Sequence, residues 1–275
     1  MKTLPIATYC LIGGLTITFG AMGTGGFAWW WLAGILFSAA FVPVALFGPR
    51  GMLSQLGVIL PVFMMVTVLC LWSEALIFVP VPEIQQHAAR NIVGTAVMYA
   101  VLAVVLATLA VILKLTKADG PTPELRPVGK AALLVLVAGL SYAFYYLVFG
   151  SITYQFFTKQ YYPDATALVA KLGVWFWPIQ IGRGVLMTLS VLPVIRTLRM
   201  SRMQAAIVVG LLIWIVGGAA PLLIPNPYMG TAQRFIHTIE IFTQNASLGF
   251  TAVMLLRRKQ SGQLAAMPAA ATLHA

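Results

Sequence analysis

Glu74, Arg183, Arg234, His237 and Glu240 all stand within long apolar stretches of this chain. A charged group surrounded by hydrocarbon is expensive, so such residues face a bundle interior or a cavity and point to function by default. Buried carboxylates beside a histidine are the parts of a proton relay, and Glu74, His237 and Glu240 supply them. Arginines stay cationic and present a fork of donors that fits an anion. Arg183 and Arg234 are therefore candidate anion contacts, with Gln180, Gln244 and Asn245 as neutral neighbours. The alternative use of the same cations is structural: two arginines can neutralise two glutamates, because an unpaired buried charge costs several kcal/mol. His237 and Glu240, at i and i+3, could also share a divalent ion with Glu74 as a third ligand. One membrane histidine is few for such a site, and no metal is expected.

The elements that carry these groups follow from composition. Of 275 residues, 60% are hydrophobic and 8% charged, with a mean hydropathy of +0.93. A soluble domain has roughly 25% charged residues, so a water-soluble globule is excluded. A nucleic-acid partner is not expected either, because the net charge of +11 is explained by membrane topology. Uninterrupted apolar runs predict spans at Ile6–Met22, Phe27–Phe47, Gly57–Val79, Ile92–Leu115, Ala131–Phe149, Leu172–Leu198, Ala205–Ile224 and Thr231–Leu256. The fold class is all-α, a polytopic helical membrane bundle of eight transmembrane helices. Continuous runs without ten-residue alternation favour helices over a barrel. Residues 1–256 form the transmembrane domain and 257–275 a disordered cytoplasmic tail in which His274 has no role.

Orientation follows from the cations. With the amino terminus inside, Lys2, Arg50, Lys114, Lys117, Arg126, Lys130, Arg196, Arg199, Arg202 and Arg257–Lys259 gather on the cytoplasmic side. Arg90, Lys159 and Lys171 remain opposite, a ratio of roughly twelve to three that obeys the positive-inside rule. Both termini are cytoplasmic, and the location expected is a bacterial inner membrane. Trp29–Trp31, Trp175 and Trp177 then lie at the external interface, as do Tyr154, Phe156, Phe157, Tyr161 and Tyr162 in the 151–171 connection, read as a short interfacial helix. The first span resembles a signal peptide, but the glycine-rich turn at 20–26 leads so soon into a second span that a helical hairpin is the better reading. Cys10 and Cys70 have no partner spacing. No repeat of 20–50 residues is visible, and one sequence does not establish an inverted repeat.

Depth and phase sharpen the candidates. At 1.5 Å per residue, Glu74 and His237 lie about 9 Å below the external helix ends, Glu240 roughly 13 Å and Arg183 roughly 16 Å; Arg234 is shallower. All five thus fall in the external half of the bilayer, from three different helices, as a shared pocket would require. In the last span Gln233, His237, Glu240, Gln244, Ser247 and Thr251 form a stripe about 80° wide, while Arg234 and Asn245 sit on an adjacent face. Part of that stripe is explained by hydrogen-bonding glue between helices. Gly182 and Gly184, flanking Arg183, leave two uses open: close approach of another helix, or room for a ligand.

No catalytic elbow, zinc helix, phosphate-cradling loop or Cys-x-x-Cys is present. Retinal would need a buried lysine, and bis-histidine haem a second membrane histidine, so no cofactor is expected. Ile224-Pro-Asn-Pro-Tyr-Met229, then Arg234-x-x-His237-x-x-Glu240 and Asn245-x-x-x-Gly249, resemble a family of uncharacterised bacterial multi-spanning membrane proteins. There a Pro-Asn-Pro turn leads into an Arg-x-x-His-x-x-Glu helix, and Gln180-Ile-Gly-Arg183-Gly184 is similar to that family's Gln-x-x-Arg-Gly helix. Gly230 replaces an expected proline and Gln244 an expected serine. The resemblance covers the last hundred or so residues; it implies an all-helical fold and a paired residue set, and no activity. The function expected is transport or binding of a small anion or proton-coupled solute, with the lipid bilayer as the constant partner. The alternatives are an intramembrane enzyme using the His/Glu pair or a metal, and a non-catalytic assembly or sensor subunit.

Overall fold

In hydrocarbon a backbone N–H or C=O finds no solvent partner, so each apolar run closes its hydrogen bonds on itself as a helix. The computed structural model describes residues 3–21, 26–78, 82–117, 119–161, 165–226 and 228–259. Eight helices long and apolar enough to cross a membrane result. They are α1 (Thr3–Gly20), α2 (Phe27–Phe47), α3 (Met52–Ile77), α4 (Ala88–Ile112), α5 (Val128–Thr158), α6 (Val169–Thr197), α7 (Arg202–Leu223) and α8 (Thr231–Leu256). Among the described residues there is no strand, only the isolated bridges Leu125–Arg257 and Asn226–Met229. The protein is a multi-pass helical membrane bundle. Lys2, most of the 20–26 turn, Pro80, Val81, Tyr162, Pro227 and the tail beyond Lys259 lie outside the described residues.

Six of the helices begin before the apolar runs do. The reason is that hydropathy falls at polar ends such as Ser54-Gln55 while backbone bonding continues. α5 differs most: it runs through Thr158, and helix resumes at Ala165–Leu172, which leads directly into the rest of α6. The connection read as one interfacial helix is thus divided: residues 151–158 continue the fifth span, and residues 165–171 lead into the sixth.

Packing closes the helices into a ring in the order α1–α2–α7–α8–α5–α6–α3–α4, with α3 and α7 also meeting across its middle. The core is one cluster in which Phe37, Phe63 and Tyr99 interlock, the Phe63 and Tyr99 rings stacked at 5.2 Å. Both α3 and α7 widen into π-helical turns, at Phe63–Cys70 and Ile215–Ala219. Such turns leave carbonyls in need of donors. Thr67 Oγ1 donates to Val216 O at 3.1 Å and Asn245 Nδ2 to Ile213 O at 3.5 Å. The ends of α2, α4, α6 and α8 meet on one face, where Lys117 N–H donates to Leu46 O and Arg199 N–H to Phe47 O. That is the cation-rich face; the other is called the far face below.

Arg257 opens the segment read as a tail, yet it is only 2% exposed. Its guanidinium donates to Ile195 O twice, to Leu198 O and to Met200 O, at 2.7–2.9 Å. It caps the carbonyl end of α6, where a cation is favoured by unpaired C=O groups and the helix dipole.

Candidate functional site

α3, α6 and α8 deliver the ionisable groups, and α5 supplies the wall between them. Glu74 lies near the far end of α3 and Arg183 in the middle of α6, where an extended guanidinium bridges the difference in depth. Arg183 Nη2 and Glu74 Oε2 are 2.5 Å apart, with side chains 8% and 19% exposed. Arg183 Nη1 donates to Gln180 Oε1 at 2.9 Å, one turn earlier on α6. The guanidinium carbon lies 5.8 Å from the Tyr142 ring centroid and 5.9 Å from that of Tyr146, a distance at which the ring faces attract a cation. Gln180 is fully buried. Its Nε2 and Arg183 Nε have no acceptor among the described residues.

The second pair is on α8. His237 Nδ1 and Glu240 Oε2 are 3.1 Å apart, with side chains 19% and 14% exposed. Gln244 Nε2 donates to Glu240 Oε1 at 3.3 Å. A Cβ placed on Gly150 of α5 would lie 3.5 Å from both Gln244 Nε2 and Glu240 Oε1, so α5 packs against this carboxylate at van der Waals distance. The same Cβ position lies 4.0 Å from Tyr146 Cδ1, and the Tyr146 ring is the one that faces the Arg183 guanidinium at 5.9 Å. The two pairs therefore share one region around the two tyrosines, in the half of the bundle towards the far face.

Two of the expected members are placed elsewhere. Arg234 Nη1 donates to Leu222 O and Leu223 O, at 3.2 and 3.1 Å, so its guanidinium caps the end of α7. Asn245 serves the α7 π turn described above, and a Cβ on Gly217 would meet its Nδ2 at 2.9 Å. Both residues share the adjacent face of α8 that phase analysis gave them, and that face looks at α7. The stripe itself divides: Gln233 Oε1 accepts from Gly230 N–H at 3.3 Å, and Thr251 Oγ1 hydrogen-bonds Tyr145 Oη at 2.8 Å. These are helix capping and helix–helix glue.

No group of three His, Cys, Asp or Glu side chains among the described residues is placed to hold a metal ion; Glu74, the proposed third ligand, is held by Arg183. Tyr142 and Tyr146 carry no charge, so a search for ionisable groups does not single them out within α5. Their spacing of four, one helical turn, is the signal that would have paired them.

The two glycines beside Arg183 also separate. A Cβ on Gly184 would fall 2.6 Å from Tyr142 Cβ and 2.9 Å from Gly139 Cα, whereas on Gly182 it meets nothing within 4 Å. Gly184 is thus the close-approach residue that lets α6 lie on α5. Gly184→Val is expected to cost about 1–3 kcal/mol through overpacking. Gly182→Ala should gain up to about 1 kcal/mol from helix propensity. Reversible unfolding in mixed micelles checks both, and equal effects at the two positions would contradict the assignment.

Comparison with known proteins found no family model that matches the chain, no curated protein similar to it and no solved structure that matches it.

Proposed function

We propose that the protein moves a small anion across the membrane together with a proton, with Arg183 and Gln180 as the anion contacts and Glu74 as the proton-handling group. One observation carries the reading. Arg183 Nε and Gln180 Nε2 are buried donors, one turn apart on α6, that no acceptor among the described residues satisfies, and buried donors of this kind call for one. The exchange is neutral in charge. Protonation of Glu74 weakens its hold on Arg183, and an incoming anion takes the place of the carboxylate on the guanidinium. When the anion leaves, Glu74 releases its proton and pairs again. The His237–Glu240 pair serves as the second proton station. By the positive-inside reading, the far face is periplasmic and the anion enters from there.

Proteoliposomes holding a pH-sensitive dye test this with chloride, nitrate, formate and acetate gradients. Wild type should acidify in response to at least one anion gradient. Arg183→Gln should lose both anion and proton movement by at least tenfold, whereas Glu74→Gln should keep anion movement and lose its coupling to protons. Unchanged coupling in Glu74→Gln, or flux retained by Arg183→Gln, contradicts the assignment. The rival view, that the charges only hold helices together, predicts no flux in wild type at all.

A further inference from the structure

The ring of helices maps onto itself when each helix is replaced by the one four places later. α1–α2, α1–α4 and α3–α4 become α5–α6, α5–α8 and α7–α8; α2–α7 becomes α6–α3; and α3–α7 returns to itself. Each of these contacts is present. The match extends to single residues. Every buried residue of α2 has a buried counterpart in α6 at one constant displacement, from Ala33 with Arg183 and Gly34 with Gly184 to Ala45 with Ile195. The same displacement carries the start of α3, Met52, onto the start of α7, Arg202, and overlays their π turns.

Periodicity alone would align two helices at some displacement, but it would not reproduce their contacts. A Cβ on Gly34 would lie 2.8 Å from Gly14 Cα, 2.9 Å from Gly14 O and 3.0 Å from Ile17 Cβ. A Cβ on Gly184 would meet the corresponding atoms of Gly139, at 2.9 and 2.9 Å, and Tyr142 Cβ at 2.6 Å. Ser38 Oγ donates to Gly34 O at 2.7 Å, and Thr188 Oγ1 to Gly184 O at 2.8 Å. At the basic face Thr116 Oγ1 donates to Ala45 O, and Arg257 Nε to its counterpart Ile195 O. Because each copy contains an even number of spans, both run in the same direction, as in parallel repeats about an axis along the membrane normal.

The charges break the symmetry. Ala33 stands where the second copy has Arg183, Ile224 where the first has Glu74, and Ile17 where the second has Tyr142. The Glu74–Arg183 pair joins α3 of the first copy to α6 of the second, so it crosses the seam between them. Towards the basic face that seam is tied by Arg199 N–H on Phe47 O at 2.8 Å, and in mid-membrane by Thr67 on Val216 O. The glycine-to-glycine approaches, in contrast, lie inside the copies.

We infer that the chain is two copies of one four-helix unit, α1–α4 and α5–α8, which move as rigid bodies, and that Glu74–Arg183 is the latch holding the seam closed towards the far face. This deepens the proposed function, on which the use of the latch rests: the anion that displaces Glu74 from Arg183 also releases the seam, so binding and opening are one event. Rocking of one repeat against the other is the motion that parallel-repeat architecture permits.

Spin-label distance measurements in lipid nanodiscs test it without any substrate. In a Cys10→Ser/Cys70→Ser background, Val93→Cys with Val174→Cys reports across the seam, and Phe27→Cys with Val93→Cys reports within the first unit; all three positions are exposed. Glu74→Gln, and independently Arg183→Gln, should lengthen the cross-seam distance by roughly 5 Å, the scale of one helical turn. The within-unit distance should stay at its wild-type value, which also shows that the variant is folded. Glu74→Asp, which keeps the charge, should restore the wild-type distribution. A cross-seam distance that stays put in both charge-removing variants, or a within-unit distance that moves with it, overturns the inference. An anion-flux failure with these distances as expected would instead sink the transport reading alone.

Discussion

Arg183→Gln in a chain that keeps Glu74 is expected to be destabilised by about 3–5 kcal/mol, because it leaves an uncompensated carboxylate in the bundle. Glu74→Gln should cost less than that, since the residual cation keeps Gln180 Oε1 as an acceptor and the Tyr142 and Tyr146 rings as partners. Removing both charges should cost less than removing Arg183 alone, because no unpaired ion remains and a buried pair seldom exceeds its own desolvation cost by much. Steric trapping of the unfolded state in bicelles gives the three values. Coupling between the substitutions is the informative quantity, and residues in contact commonly couple by about 0.5–3 kcal/mol. Strict additivity of the two losses would mean that the 2.5 Å contact contributes no net interaction.

The second large effect concerns a residue outside the site. Arg257→Met should cost about 3–5 kcal/mol, since hydrogen bonds from a charged group contribute about 1.5–3 kcal/mol each and buried carbonyls left without donors add to the loss. Arg257→Lys keeps the charge but replaces a planar fork by a point donor, and should fall between Met and wild type. Arg258 is the control: its side chain is exposed, and Arg258→Met should stay within about 0.5 kcal/mol, as surface substitutions do. The same unfolding assay reads all three. If Arg257 and Arg258 behave alike, the cap on α6 is not a stabilising feature.

Why some of this was legible in the sequence and some was not has a physical answer. Eight spans could be read because hydrocarbon forces each backbone polar group into a helix, so hydropathy and length are nearly sufficient. Helix ends were less legible, as α5 shows, because bonding continues through polar residues after hydropathy has fallen. Convergence of Glu74, Arg183, His237 and Glu240 was readable from depth, since charges at one level of the membrane gain from meeting. Phase assigned Arg234 and Asn245 to another face of α8, but that this face looks at α7 depends on how the two helices pack, which phase does not contain. Arg257 was counted as a topological signal, and its position at the end of α6 depends on tertiary contacts that charge counting does not contain. The duplication was hidden for a related reason: it survives in which positions are buried and which backbones touch, as at Gly34 and Gly184, while few other identities remain.

The central claim is that the two buried pairs belong to one polar site reachable from the far face. Thiol labelling tests it most directly, using His237→Cys and Glu240→Cys singly in the Cys10→Ser/Cys70→Ser background with a membrane-impermeant maleimide applied to one side at a time. The account predicts modification of both positions from the far face, slowed by the anion that drives flux, and little from the basic face. Modification only from the basic face, or only by a lipid-soluble reagent, would contradict it.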